Sequence, residues 1–189
     1  TEIDFGDSVV SFFQTTHSIP ESLGVVIKTD QGNIVYTGDF KFDQAADKFY
    51  KTDFSRLAEI GNEGVLALLS DSANADSNEQ GASMHEAREE ILNTIADWDG
   101  RIIVAAVASN IVRIQQIFDA AEKTGRRIVL TGHDVENIVR TAIQLKKLHL
   151  VSEKLLVKPK DIAKYEDHEL IILETGRMGE PLNGLRKMA

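Results

Sequence analysis

Two side chains near the start of the chain have the chemistry of metal ligands. His17 follows the apolar run DSVVSFFQT, and Asp39 comes 22 residues later, at the end of NIVYTGD. Imidazole and carboxylate groups together suit zinc or manganese. A hydrolytic metal site needs three or four ligands, and a single histidine in this position is more often structural. The pair therefore makes a metal site a hypothesis that depends on how the chain folds.

A second group of polar residues follows the apolar run VLALLS, which predicts a short buried strand. At its carboxyl end, Asp71 and Asp76 bracket Ser72 and Asn74. Such residues often bond their own backbone in turns. The alternative is a carboxylate that orients a catalytic or ligating histidine. The other histidines show no paired ligand spacing and are interpreted as single surface or loop residues: His85, His133, His149 and His168.

Two later loops have features of phosphate-binding sites. Ser109 and Asn110 stand at the start of a predicted helix, where free N–H groups and the helix dipole favour an anion. Arg113, one turn further, adds a guanidinium group. In the loop TGRMGE, Gly176 permits close backbone approach and Arg177 adds positive charge. Ordinary helix capping is the competing interpretation of both loops.

The elements that must position these groups can be predicted from periodicity and turn signals. The β-branched runs LGVVIKT and NIVYTGD flank Asp30–Asn33, which predicts a β-hairpin. A short helix is predicted over 57–64 and an amphipathic helix over 83–97. Strands and helices then alternate, which predicts a parallel sheet covered by helices, with ligand sites at the carboxyl ends of its strands.

The composition limits the class of protein. With 189 residues and 42% hydrophobic residues, the chain can bury a core. Its net charge of −9 and pI near 5.0 argue against a general electrostatic grip on nucleic acid, so any such role needs a local site. The lack of cysteine excludes disulfides and thiolate metal sites. Without a signal peptide or a long apolar run, we expect a soluble, cytoplasmic protein, and both ends of the chain read as cut.

Several longer stretches resemble bacterial ribonuclease J, a metallo-β-lactamase-fold nuclease that carries a β-CASP domain. The resemblance is colinear over essentially the whole chain, in THSIPES, NIVYTGDFKFD, AEIGNEGVLALLSDSANAD, ASNIVRIQQIFDAAEKTGRRI and ETGRMGEPLNGLRKMA. It implies an α/β fold with the late part of a metallo-β-lactamase αββα core over residues 1–76. Residues 77–189 would be most of a β-CASP domain with a parallel sheet covered by helices.

The resemblance also implies roles for particular residues. His17 matches the third metal-binding motif of the family and would bind one metal ion, while Asp39 matches the fourth and would bridge two ions. Asp71 matches the first β-CASP motif, a catalytic position that supports the general-acid histidine. That histidine, the HxHxDH cluster and the last ligand histidine are expected outside this chain. RNA or phosphate binding is expected at Ser72, Asn74, Ser109, Asn110, Arg113, His133, Gly176, Arg177 and Glu180.

The implied activity is 5′-3′ exonucleolytic and endonucleolytic cleavage of RNA, in ribosomal RNA processing and messenger RNA decay. Two zinc ions, or manganese or magnesium, would serve the full-length protein, whereas this chain alone is expected to bind metal incompletely and to be inactive. The implied partners are single-stranded RNA with a 5′-monophosphate and further copies or a paralogue of the protein. We expect no membrane partner.

The sequence departs from the family pattern in loops that are expected to face RNA. Where the family has GRSM, this chain has GHDV, so that His133 replaces arginine and Asp134 replaces serine. Val112 replaces histidine in SNIVR, Ala73 alters the DSTN motif, and TGSQGEP becomes TGRMGEP. These changes suggest the second ribonuclease J paralogue of some bacteria. The alternative function is therefore a catalytically weak structural or regulatory subunit that associates with an active paralogue.

Overall fold

The structure is a computed structural model that describes residues 2–73, 75–77, 81, 83–132 and 135–176. The chain divides into two compact units, Thr1–His85 and Glu86–Ala189. The domain boundary predicted after Asp76 stays a prediction. Among the described residues, no helix combines the length and the apolar character needed to cross a membrane.

The first unit is built on a five-stranded sheet with the strands in chain order. Its strands are β1 (Glu2–Asp4), β2 (Val9–Gln14), β3 (Leu23–Thr29), β4 (Gly32–Tyr36) and β5 (Val65–Leu69). Neighbouring strands from β1 to β4 are antiparallel, and β4 and β5 are parallel. The predicted hairpin is confirmed, because β3 and β4 pair directly through the turn at Asp30–Gln31.

Helix α1 (Phe54–Glu63) covers one face of this sheet. It begins three residues before the predicted helix because the carboxylate of Asp53 caps it, accepting a hydrogen bond from the backbone N–H of Arg56 at 3.0 Å. It ends at Gly64, whose φ of +93° favours glycine. The buried cluster between sheet and helix consists of Phe13, Val26, Val35 and Ile60, with Leu57 packed against it.

Strand β5 was correctly predicted as a strand, but its predicted burial is wrong. The run VLALL forms a strand as predicted, but all five residues are exposed rather than buried. Within the described residues β5 lies at the edge of the sheet and pairs only with β4. An apolar run shows that a strand can be buried, whereas the partner that covers it must come from elsewhere in the fold.

The second unit contains the predicted parallel sheet, with four strands in the order β6-β9-β7-β8. The strands are β6 (Ile102–Val107), β7 (Arg127–Gly132), β8 (Leu156–Val157) and β9 (Leu170–Gly176). The helices are α2 (Met84–Ala96), α3 (Ile111–Thr124) and α4 (Val135–Gln144), and three 3-10 turns follow at Glu153–Leu155, Pro159–Lys164 and Asp167–Glu169. The two-residue strand β8 was not predicted.

The two faces of this parallel sheet are covered differently. One face meets α2, α3 and α4 in a large cluster that includes Ile95, Phe118 and Val139. The other face carries a smaller cluster of Val129, Val157, Leu170 and Ile172. Ile162 of the 3-10 turn Pro159–Lys164 and Tyr165, which follows that turn, pack against it. The central strand β9 is buried on both faces, which explains its continuous apolar run LIIL.

Candidate metal centre

Three loops that carry predicted site residues follow the carboxyl ends of strands in the first sheet. Strands β2, β4 and β5 run in the same direction, since β3 is antiparallel to both β2 and β4 and β5 is parallel to β4. His17 follows β2, Asp39 follows β4 and Asp71 follows β5 by two or three residues each. The sheet therefore places all three residues at the same end of its strands.

His17 and Asp39 lie close enough to bind one metal ion. The distance from His17 Nε2 to Asp39 Oδ2 is 3.6 Å. Two ligand atoms that each lie about 2.1 Å from a tetrahedral zinc ion are about 3.4 Å apart. The side chains are 32% and 73% exposed, so both can be reached from solvent. The Oγ atom of Ser18 lies 3.4 Å from the same imidazole nitrogen.

The donor set fits part of a metal centre. Among the described residues, no group of three or more histidine, aspartate or glutamate side chains could hold an ion. His17 and Asp39 supply one nitrogen and one carboxylate, which are the donor types that a hydrolytic zinc or manganese site uses. The described residues can therefore supply two ligands of a metal site. The other ligands of such a site would have to come from residues outside this described part.

The loop that carries His17 is anchored by two buried threonines that sequence reasoning missed. Thr16 and Thr52 exchange hydrogen bonds, each backbone N–H donating to the other hydroxyl at 3.0 and 3.1 Å, and the hydroxyls themselves are 2.8 Å apart. Thr16 also accepts a hydrogen bond through its carbonyl from the N–H of Lys41. This contact links the His17 loop to the loop that carries Asp39.

Asp71 contacts the Asp39 loop directly. Its Oδ2 accepts a hydrogen bond from the N–H of Phe40 at 3.5 Å, and its Oδ1 accepts one from the N–H of Ala73 at 2.8 Å. The backbone N–H of Asp71 donates to the hydroxyl of Thr37 at 3.0 Å. The bond to Ala73 is the local turn bond expected of such a residue, and the bond from Phe40 joins Asp71 to the loop of a candidate ligand. The role of Asp71 in orienting a histidine stays a prediction.

The predicted phosphate-binding residues of the second unit lie at the carboxyl edge of its sheet. Ser109 and Asn110 follow β6, and Gly176 is opposite Val107 in the register of β6 and β9. The Oδ1 of Asn110 accepts a hydrogen bond from the N–H of Arg113 at 3.0 Å, so this side chain caps α3. Capping occupies the Asn110 oxygen, while its role toward RNA stays a prediction.

The other predicted RNA contacts are only partly described. Ser72 is exposed in the turn after β5, where its carbonyl accepts a hydrogen bond from the N–H of Ala75 at 3.1 Å. Four of the predicted contacts lie outside the described residues: Asn74, His133, Arg177 and Glu180.

Comparison with known proteins assigns the second half of the chain. Residues 99–189 match the family model described as "Ribonuclease J, beta-CASP domain". This half of the chain is thus similar to the β-CASP domain of ribonuclease J. The α/β fold and the parallel sheet expected from the resemblance are thereby confirmed.

Relatives with the same name match nearly the whole chain. It is 70% identical to "Ribonuclease J 2" of Streptococcus pyogenes over 189 residues, which are 100% of this chain and 34% of that protein. It is 43% identical to "Ribonuclease J2" of Bacillus subtilis over 99% of this chain and 34% of the relative. The chain thus spans about a third of the length of the curated relatives that it matches.

A solved structure shares the fold at low sequence identity. The crystal structure of a protein of unknown function from Enterococcus faecalis V583 covers 94% of this chain with a TM-score of 0.66. The alignment covers 44% of that protein at 14% identity, so it informs only on the fold.

Proposed function

We propose that a full-length protein carrying this chain is a metal-dependent ribonuclease that hydrolyses phosphodiester bonds in single-stranded RNA. The observation that carries this proposal is the approach of His17 to Asp39, at 3.6 Å, on the edge of the first sheet. The similarity of residues 99–189 to the β-CASP domain of ribonuclease J supports the choice of RNA as substrate. Two zinc ions are the proposed cofactors, with manganese or magnesium as alternatives.

The chain contributes ligands and their positioning to this chemistry. His17 would bind one ion through its imidazole, and the carboxylate of Asp39 would bridge two. When bound, the ions supply activation of a water molecule and stabilisation of charge on the phosphate oxygens. The exchanged bonds of Thr16 and Thr52 hold the His17 loop, and the bond from Phe40 to Asp71 holds the Asp39 loop. Asp71 is further proposed to support the general-acid histidine.

The proposal is tested by removing the two ligands separately from the full-length protein. We expect Asp39→Ala and His17→Ala each to lower the metal content and to abolish metal-dependent cleavage of 5′-monophosphorylated single-stranded RNA. His168→Ala, which removes an exposed imidazole from the second unit, is the control and should leave both properties unchanged. Unchanged cleavage by Asp39→Ala at saturating metal would refute the bridging role.

An alternative is a catalytically weak subunit that binds an active ribonuclease J paralogue. Two observations favour keeping it: the matched relatives carry the number 2 in their names, and GHDV replaces the common GRSM. The discriminating feature is the HxHxDH motif, since an intact motif supports an enzyme and a substituted one supports a subunit. The proposal includes 5′-3′ exonucleolytic and endonucleolytic cleavage in ribosomal RNA processing and messenger RNA decay. It also includes association with further copies or a paralogue and a cytoplasmic location.

A further inference from the structure

One segment of the second unit is positively charged, unlike the chain as a whole. Residues 146–164 contain six lysines and only two acidic residues, whereas the chain as a whole carries a net charge of −9. Part of this segment forms a surface depression of about 450 Å³ beside the edge strand β8, which we call the lysine depression. Its polar lining consists of Lys158, Lys160, Asp161, Lys164 and Tyr165.

The backbone that presents these lysines is fixed. Ile162 and Tyr165 pack against the apolar cluster on the second face of the parallel sheet. Before β8, the guanidinium of Arg127 donates a hydrogen bond to the carbonyl of Lys154 at 2.8 Å. The lysines are therefore held on an ordered surface, so an anion that binds them does not have to order the backbone first.

Three lysines of the depression surround the carboxylate of Asp161. Lys164 Nζ lies 2.7 Å from Asp161 Oδ1. The hydrogen bond from Lys164 lowers the pKa of Asp161 below its usual value, and the ammonium groups of Lys160 and Lys158 lower it further. Three cations around one carboxylate leave an excess of positive charge, which favours a second anion.

We infer that the lysine depression binds the phosphate backbone of single-stranded RNA, as a contact additional to the loops at the carboxyl ends of the strands. The inference rests on the proposed ribonuclease function. Among the described residues, strands β8 and β6 stand at opposite edges of the four-stranded sheet. Three strand spacings of about 4.8 Å separate β8, which borders the depression, from β6, which precedes Ser109 and Asn110, by about 14 Å.

The chemistry of the lining favours a nucleic acid over a protein partner. Protein interfaces depend on buried aromatic or aliphatic anchors in pockets. Of the two apolar residues in this lining, Val157 is buried and Leu156 is half-buried, so neither offers an anchor. Phosphate groups need only cations, and three of the lining residues are lysines. Lysines also protect edge strands from unwanted pairing, and the experiment must separate that role.

The test uses the full-length protein and a matched pair of variants. Lys158→Gln/Lys160→Gln removes two charges from the depression and spares Lys164, which is paired with Asp161. Lys123→Gln/Lys146→Gln removes two charges from the same unit outside the depression. The probe is a short 5′-monophosphorylated single-stranded RNA, whose affinity is measured between about 50 and 200 mM salt.

We expect the first variant to bind more weakly at low salt and to have a shallower salt dependence. Each lost phosphate contact reduces the slope of log K against log salt by about 0.7, so two contacts reduce the loss of affinity over this range by about sevenfold. The control variant should match the wild type. Identical titrations of all three proteins would overturn the inference while leaving the proposed function intact.

Two other outcomes also decide the question. If the first variant changes self-association in sedimentation experiments but binds RNA normally, the lysines protect an edge or meet a protein, and the inference is wrong. If the wild type neither binds nor cleaves RNA, the proposed function fails and the inference fails with it. The comparison between wild type and variant thus separates the two failures.

Discussion

The carboxylate of Asp71 accepts a hydrogen bond from the backbone N–H of Phe40, the residue that follows Asp39. This bond joins the loop after β5 to the loop after β4 at the edge where His17 also lies. A carboxylate that fixes the backbone next to a ligand contributes to metal affinity without touching the metal. We therefore propose that Asp71 is a positioning residue.

We expect Asp71→Ala to weaken metal binding by the full-length protein by about 10- to 100-fold, because the Asp39 loop loses its support. Asp71→Asn retains one acceptor oxygen and should have a smaller effect. Titration with zinc in the presence of a competing chelator measures this difference. If affinity is unchanged and only the pH dependence of cleavage shifts, Asp71 acts on the general-acid histidine instead.

The ring of Phe13 lies across Gly24, its partner in the register of β2 and β3. A Cβ atom at Gly24 would stand 2.1 Å from the ring atom Cζ, so the ring must move if any side chain is added. We expect Gly24→Ala to lower the free energy of unfolding by about 1 to 3 kcal/mol. Thermal unfolding of the full-length protein measures the effect.

Gly61→Ala is the matched control for this substitution. Gly61 lies within α1, and a Cβ atom there would meet nothing within 4 Å. Alanine is favoured over glycine in a helix by about 0.5 to 1 kcal/mol, so this variant should be more stable than the wild type. Equal effects of the two substitutions would show that the contact between Phe13 and Gly24 does not limit stability.

Local patterns were sufficient to predict most of the elements. The turn signal at Asp30–Asn33 and the alternation of strands and helices depend on neighbouring residues, and both were confirmed. The approach of His17 to Asp39 was a hypothesis from their positions at strand ends, and it depends on the pairing of β3 with both β2 and β4. The two-residue strand β8 escaped prediction because so short a strand has no periodicity of its own.

Contacts between distant residues could not be predicted in this way. Thr16 and Thr52 are separated by 36 positions, and nothing in either local sequence specifies that their hydroxyls meet. The exposure of β5 likewise depends on which part of a fold covers it. The lysine depression was missed because its charges follow an irregular segment, where sequence periodicity gives no indication of which side chains share a surface.

The chain by itself should not hold a tightly bound pair of metal ions. Only His17 and Asp39 were assigned as ligands, and the described residues contain no group of three or more potential donors. Because metal sites of low ligand number bind weakly, we expect less than stoichiometric zinc by elemental analysis after dialysis. Asp39→Ala should reduce the residual zinc further. Two zinc ions per chain in the wild type would contradict this expectation.

The last expectation concerns acid stability and the buried carboxylate of Asp43, whose side chain is 4% exposed. It accepts hydrogen bonds from the N–H groups of Met84, at the start of α2, and Ala45, at 2.8 and 3.0 Å, and lies 3.2 Å from Lys41 Nζ. Burial alone raises the pKa of Asp43, but these bonds outweigh it and leave the pKa below its usual value. The ionised form therefore stabilises the fold.

The lowered pKa of Asp43 determines how the stability of the fold depends on pH. A carboxyl group whose pKa is lower in the folded than in the unfolded state contributes its full stability above the unfolded value, about 3.9. The contribution is lost as the pH falls through the folded value. Asp43→Asn should thus cost about 1 to 3 kcal/mol at neutral pH, and the difference from wild type should shrink below about pH 4.

Urea unfolding of the metal-free full-length protein over this pH range measures the difference, with a chelator present so that metal release does not contribute. Asp99→Asn, which neutralises an exposed carboxylate outside any helix or strand, is the control and should change stability by less than about 0.5 kcal/mol at every pH. A difference between wild type and Asp43→Asn that stays constant into strong acid would show that the hydrogen bonds of Asp43 do not depend on its charge.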